Sequence, residues 1–156
     1  MINIEVFSNE KAWSQRLKKK ELFFKKVCEK FPNKYQFPNK KVNLSLLLSN
    51  NKNIKKLNNK FRNKNKPTDV LSFPSEKKFD IKKNSYLGDV IISYEFMNKP
   101  KSNDNLEFKK KVSKTFIHGF LHLLGYDHIK LKDFKKMNKE EEKIYNFINA
   151  KIIKLA

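Results

Sequence analysis

The sequence predicts an α+β fold in a single domain spanning residues 1–156, a four-stranded sheet covered by about four to five helices. Two patterns carry that expectation. Four short segments either alternate apolar with polar residues or run almost continuously apolar, as strands do. Around them lie stretches whose apolar residues recur every three to four positions, as on helices that bury one side. With 156 residues the chain is long enough to build a core without disulfides or structural metal, and it shows neither an internal repeat nor a second domain.

In chain order, Ile2 to Phe7 sets Ile2, Ile4 and Val6 against Asn3 and Glu5 and reads as a half-buried strand. Ser8 then reads as the N-cap of one helix carrying Trp13, Leu17, Phe24, Val27, Cys28 and Phe31 inward, stopped by Pro32. Its lysine run, Lys18 to Lys20, reads as a solvated face. Lys41 to Ser49 is a second strand, and a short helix follows with Ile54, Leu57 and Phe61 on one side. Phe61 to Asp69 has no periodicity and reads as a loop leading into a short strand, Val70 to Pro74. Ser75 to Ser85 is polar and lysine-rich, a mobile connection. Tyr86 to Ser93 is a fourth strand whose apolar second half suggests a central position. After a linker from Lys99, Asp104 and Glu107 resemble a capping box opening a central helix that carries His118 and His122. A last helix runs from about Leu131 to Leu155. Strand order is not legible from these patterns.

The net charge of +20 points toward a polyanion, because lysine and arginine that neutralise phosphates supply most non-specific nucleic-acid affinity. The excess is almost all lysine in a chain rich in asparagine and isoleucine, so compositional bias contributes as well. Only two arginines occur, Arg16 and Arg62, and in so lysine-rich a chain an arginine is a candidate for a place where a planar fork is needed. The one cysteine, Cys28, cannot form an internal disulfide and reads as a small buried hydrophobe. No signal-peptide pattern or membrane-length apolar run is present, which predicts a reduced, cytoplasmic setting and no membrane.

All three histidines fall within eleven residues, at positions 118, 122 and 128. Two histidines four apart share one helix face and can converge on a single ion. Gly125 can end the helix in a left-handed conformation, so that His128 returns to the same point. The expectation is a three-nitrogen metal site with an open fourth position at the end of the central helix, the arrangement of a catalytic zinc; nickel and copper suit the same ligands. Metallopeptidases carry H-E-x-x-H-x-x-G-x-x-H, and here Gly119 stands where their general-base glutamate belongs. A peptidase reading is weakened accordingly.

His118-Gly119-x-Leu121-His122-Leu123-x-Gly125-Tyr126-Asp127-His128 resembles the signature of the YbeY family of bacterial endoribonucleases. Arg62, the run Lys66 to Pro74 and the run Leu87 to Ser93 resemble the family in order and separation. The resemblance implies one Zn²⁺ per chain held by His118, His122 and His128, which with Arg62 form the catalytic set. It also implies single-strand-specific cleavage in the 3′-end maturation of small-subunit ribosomal RNA and in ribosome quality control. Ribosomal RNA, the small ribosomal subunit and other ribosome-associated proteins are then the expected partners. In that setting Arg62 would pair with phosphate oxygens, and Lys64 and Lys66 would hold the RNA backbone. Direct attack by water and activation of the ribose 2′-hydroxyl both remain open. Asp127 reads as a histidine orienter or turn residue rather than a catalyst, and Thr68, Asp69 and Asp89 as architectural. Two other functions stand beside this one: a metal-dependent hydrolase of another substrate, and a ribosome- or RNA-binding factor whose metal is mainly structural.

Overall fold

The computed structural model describes residues 1–77, 80 and 85–152. Strand β1 (Ile2–Ser8) lies parallel to β2 (Val42–Ser49), β2 lies parallel to β4 (Tyr86–Ser93), and β3 (Val70–Pro74) runs antiparallel to β4, giving the order β1-β2-β4-β3. The fourth strand is therefore internal, as its apolar run requires. Six α-helices accompany this mixed sheet among the described residues. The fold is α+β in one domain.

Alternation divides the sheet into two unequal faces. Leu44, Leu46 and Leu48 of β2, with Val90 and Ile92 of β4, enter the main core. The helices packed on that side are α2 (Lys20–Glu29), α5 (Asn105–Leu123) and α6 (Leu131–Ile152). Among the described residues the opposite face carries α3 (Asn51–Arg62), whose Ile54 joins Leu71 and Ile91 in a small cluster. Asn50 caps α3 by accepting from the Asn53 amide at 2.9 Å, and Asp104 caps α5 by accepting from Glu107 at 2.8 Å.

The first helix differs from its expected form. Ser8 ends β1 rather than capping a helix, and the single long helix is broken into α1 (Trp13–Arg16) and α2. Trp13 explains the break. Its indole donates to the Ser49 carbonyl at 2.9 Å and its ring meets Tyr94 and Phe108 edge-on, fixing α1 against the end of the sheet. Leu17 then leaves helical geometry at φ −129°, ψ 94°, which lets it and Phe24 both reach the core. Lys18 and Lys19 sit exposed at the break. The one-turn helix α4 (Tyr94–Met97) and a 3-10 turn at Asn33–Tyr35 are further additions to the sequence reading. Most of the connection expected to be mobile, residues 78–79 and 81–84, and the end of the last helix at 153–155 lie outside the described residues.

Arg16 forks into the segment before α5. Nη1 donates to the Asn103 carbonyl at 2.7 Å and to Asn105 Oδ1 at 3.0 Å, Nη2 to the Lys101 carbonyl at 3.0 Å, and Nε to Asn98 Oδ1 at 3.2 Å. Cys28 is buried, and burial pushes its thiol well above the usual range, consistent with packing and not nucleophilic chemistry.

Glu140 is the one buried carboxylate among the described residues. The Tyr35 hydroxyl donates to it, and Lys34 and Lys143 lie at 3.4 and 3.6 Å, together holding its carboxyl below the ordinary range although burial opposes this. A depressed folded-state pKa contributes stability above the unfolded value of about 4.3, lost as pH falls through the folded value. Tyr35→Phe is expected to lower stability by about 1–3 kcal/mol near neutral pH. It should also shrink the loss of stability between neutral and acid pH, both read by urea unfolding across that range.

Candidate metal centre

Helix α5 ends one residue after His122, at Leu123, and the way it ends brings the third histidine back. The Gly125 amide donates to the His122 carbonyl at 3.0 Å and the Tyr126 amide to the Leu121 carbonyl at 3.1 Å, the paired bonds of a Schellman motif. Gly125 takes the left-handed conformation this motif needs, at φ +97°. Asp127 Oδ1 then accepts from the His128 amide at 2.7 Å, so its carboxylate shapes the turn that presents His128.

The three imidazoles converge. Ring centroids lie 4.8 Å apart for His118 and His122, 4.9 Å for His122 and His128, and 5.6 Å for His118 and His128. One ligand atom from each falls within 4.8 Å of the others. His122 Nδ1 lies 3.0 Å from the Tyr126 carbonyl, which can only accept, so this nitrogen carries the proton and the other is left with a lone pair. His118 Nδ1 faces Glu141 of α6 at 3.5 Å. Hydrogen bonds of this kind orient metal-ligating histidines. Burial pushes His122 down to about 4, with His118 and His128 beside it adding to the effect, so it stays neutral at physiological pH. An all-imidazole donor set in which His118 and His122 each have a ring nitrogen engaged outside the site fits a borderline metal such as zinc.

The cluster opens into a cleft of about 750 Å³. His118, His122 and His128 line it together with Arg62, Lys64 and Lys66. Arg62 is the last residue of α3. Asn63 beyond it is left-handed at φ 55°, turning the chain out of the helix. Asn58 holds the turn: its Nδ2 donates to the Lys66 carbonyl at 2.8 Å, and its own carbonyl accepts from the Lys64 amide at 3.3 Å. Asp69 Oδ1 accepts from the Val70 amide at 2.8 Å and from Thr68 Oγ1 at 3.2 Å, an architectural arrangement. Asp89 lies outside the cleft and accepts from the Tyr86 hydroxyl at 2.5 Å.

Gly119 is explained by packing. A Cβ there would lie 2.8 Å from Val90 Cγ1 and 3.1 Å from Ser72 Oγ, and the Ser72 hydroxyl donates to the Gly119 carbonyl at 2.9 Å. This side of α5 is pressed on β3 and β4, so a glutamate at 119 has no room. Sequence reasoning missed Glu141 and Asn58. Glu141 stands four residues after buried Met137, a spacing that marks the inner face of α6. Asn58 follows Leu57 one position away from the apolar stripe, and nothing in its local sequence marks it as a clamp.

An α+β protein with three histidines able to hold a metal ion, open to a basic cleft, is the class that fold and site define. The comparisons narrow it. The family model described as "Endoribonuclease YbeY" matches residues 5–149. The chain is 66% identical over 152 residues to the endoribonuclease YbeY of Pelagibacter ubique, covering 97% of this chain and 99% of that protein. It is 34% identical over 148 residues to that of Sulfurihydrogenibium sp., covering 94% of each. Among solved structures, the solution structure of TM1509 from Thermotoga maritima matches with a TM-score of 0.58 and 26% identity, covering 96% of this chain and 91% of that one. The chain belongs to the endoribonuclease YbeY family.

Gly119→Ala tests the packing of the histidine helix. Overpacking against Val90 costs about 1–3 kcal/mol, while alanine returns up to about 1 kcal/mol of helix propensity. A net loss of about 1–2 kcal/mol in denaturant unfolding is expected, with the metal bound per chain, measured on the same sample, falling in step.

Proposed function

We propose that this chain is a zinc-dependent endoribonuclease that cuts single-stranded RNA. Its setting is the 3′-end maturation of small-subunit ribosomal RNA and ribosome quality control in the cytoplasm. Its partners are ribosomal RNA, the small ribosomal subunit and other ribosome-associated proteins. Residues 1–156 form the one domain that does this. The observation that carries the reading is the shared cleft, in which three imidazoles able to hold a metal ion and three cations line the same space in a member of an endoribonuclease family. No helix among the described residues is long and apolar enough to cross a membrane.

His118, His122 and His128 hold the ion, His122 steadied by the Tyr126 carbonyl and His118 by Glu141. Zinc, when bound, supplies a Lewis acid for a phosphoryl oxygen and brings the pKa of a water to about 7. Arg62 sets its planar fork on the non-bridging oxygens, where negative charge grows as the phosphodiester is attacked. Lys64 and Lys66 hold flanking phosphates as point charges. The turn built by Asn58 and Asn63 holds the segment from which all three cations line the cleft with the histidines.

The test is metal analysis and RNA cleavage on wild type, His122→Ala and Arg62→Ala, each with and without chelator. Wild type should carry about one zinc and cut single-stranded RNA. His122→Ala should lose the metal and the activity. Arg62→Ala should keep the metal and slow cleavage by roughly 10²–10³-fold. Cleavage that persists after complete chelation would sink the proposal.

A further inference from the structure

Beside the cleft, on the other face of the sheet, lies a second concavity of about 540 Å³ lined chiefly by Phe7, Leu47, Leu57, Phe61, Phe73 and Ile91. Phe61 is 57% exposed although its ring packs edge-on against Phe73 with centroids 5.1 Å apart. A large aromatic ring left half in water at the end of a helix, directly before the arginine of the cleft, has no role in the core. From this we infer that Phe61 and Phe73 form a base-stacking subsite for the RNA strand whose backbone lies in the cleft. The inference rests on the reading of the cleft as an RNA site.

Continuity with the cleft selects this occupant. The two concavities are lined by sequence neighbours: Arg62 lines the cleft and Phe61 the groove, and Ser72 and Pro74 line the cleft while Phe73 between them lines the groove. A strand leaving the cleft past Arg62 and round the short edge strand β3 therefore comes next to Phe61, the adjoining residue in sequence. Charge agrees at this end. Lys60 Nζ stands 5.2 Å from the Phe61 ring centroid, and Arg62, Lys64 and Lys66 follow in sequence, so a phosphate on either side of a stacked base meets a cation. Asp89, the one acidic residue lining the groove, stands at the β4 side and is engaged by Tyr86. Aromatic platforms flanked by basic residues take unpaired bases without regard to sequence, because every base has a π-face, and a paired base cannot be splayed onto the ring. The subsite would thereby contribute to a preference for single strands.

The experiment compares wild type, Phe61→Leu, Phe61→Trp and Arg62→Ala for binding and cleavage of one single-stranded RNA oligonucleotide and of a series in which an abasic position steps along it. Phe61→Leu keeps an apolar side chain and removes the ring plane, so folding is not at issue at this exposed site. If the subsite exists, one abasic position weakens wild-type binding by about tenfold, Phe61→Leu binds the intact strand about tenfold more weakly and no longer senses that position, and Phe61→Trp restores both. If wild type binds and cuts the strand, Arg62→Ala impairs it and Phe61→Leu behaves as wild type, the cleft reading survives and the subsite is wrong; the groove then belongs to another occupant, such as an apolar protein segment. If wild type neither binds nor cuts the strand, both readings fail.

Discussion

At Gly119 the helix that carries the histidines comes nearer the sheet than any side chain would allow. Val90 and Val70 fill the space a Cβ would take, and Ser72 reaches across to the Gly119 carbonyl. Everything at the centre follows from that contact. His118 is adjacent to Gly119 in sequence and His122 lies one turn on, so once the helix is seated their direction is set by the 3.6-residue period. The Schellman turn only has to reverse the chain for His128 to join them. Seating costs little adaptation because α5 buries Phe116, Ile117, Phe120 and Leu121 around the same turn, leaving rigid packing on every side but the cleft.

Charge is distributed differently from fold. The chain's +20 is spread widely, and most lysines make solvated surface. What distinguishes Arg62, Lys64 and Lys66 is their backbone. A left-handed asparagine at 63 and a buried asparagine at 58 hold the turn from which they line the same cleft as the imidazoles. The buried Asn58 side chain donates to the Lys66 carbonyl while its main-chain carbonyl accepts from Lys64, so the loop keeps its form without help from its own composition.

How much of this was legible in the sequence depends on the range of the forces involved. The strands and the two long helices could be read because their patterns are periodic, and the histidines because three residues of one rare type met helix spacing and a terminating glycine. The break between α1 and α2 could not. It is imposed by Trp13 bonding to Ser49, 36 residues away, and local sequence there still favours continuous helix. Strand order was hidden for the same reason, since β3 pairs antiparallel with β4 through contacts between the two segments that the pattern of neither one encodes. Gly119 was visible as a departure from a metallopeptidase motif, but its cause, the nearness of Val90, belongs to the tertiary structure alone. Asn58 gave no signal, because its partners are backbone atoms of a loop without periodicity.

The other arginine carries a different lesson. Of 36 basic residues only two are arginine, and Arg16 uses its fork on four acceptors between Asn98 and Asn105, over the ring of Phe108. A lysine ammonium at that place is a single point on a flexible stem and cannot meet acceptors spread around a plane. In a chain so heavily shifted toward lysine, Arg16 marks a floor beneath which compositional drift cannot go without loosening the entry to α5. Mutational bias can rewrite the surface of such a protein almost freely; it halts where geometry asks for two nitrogens at once.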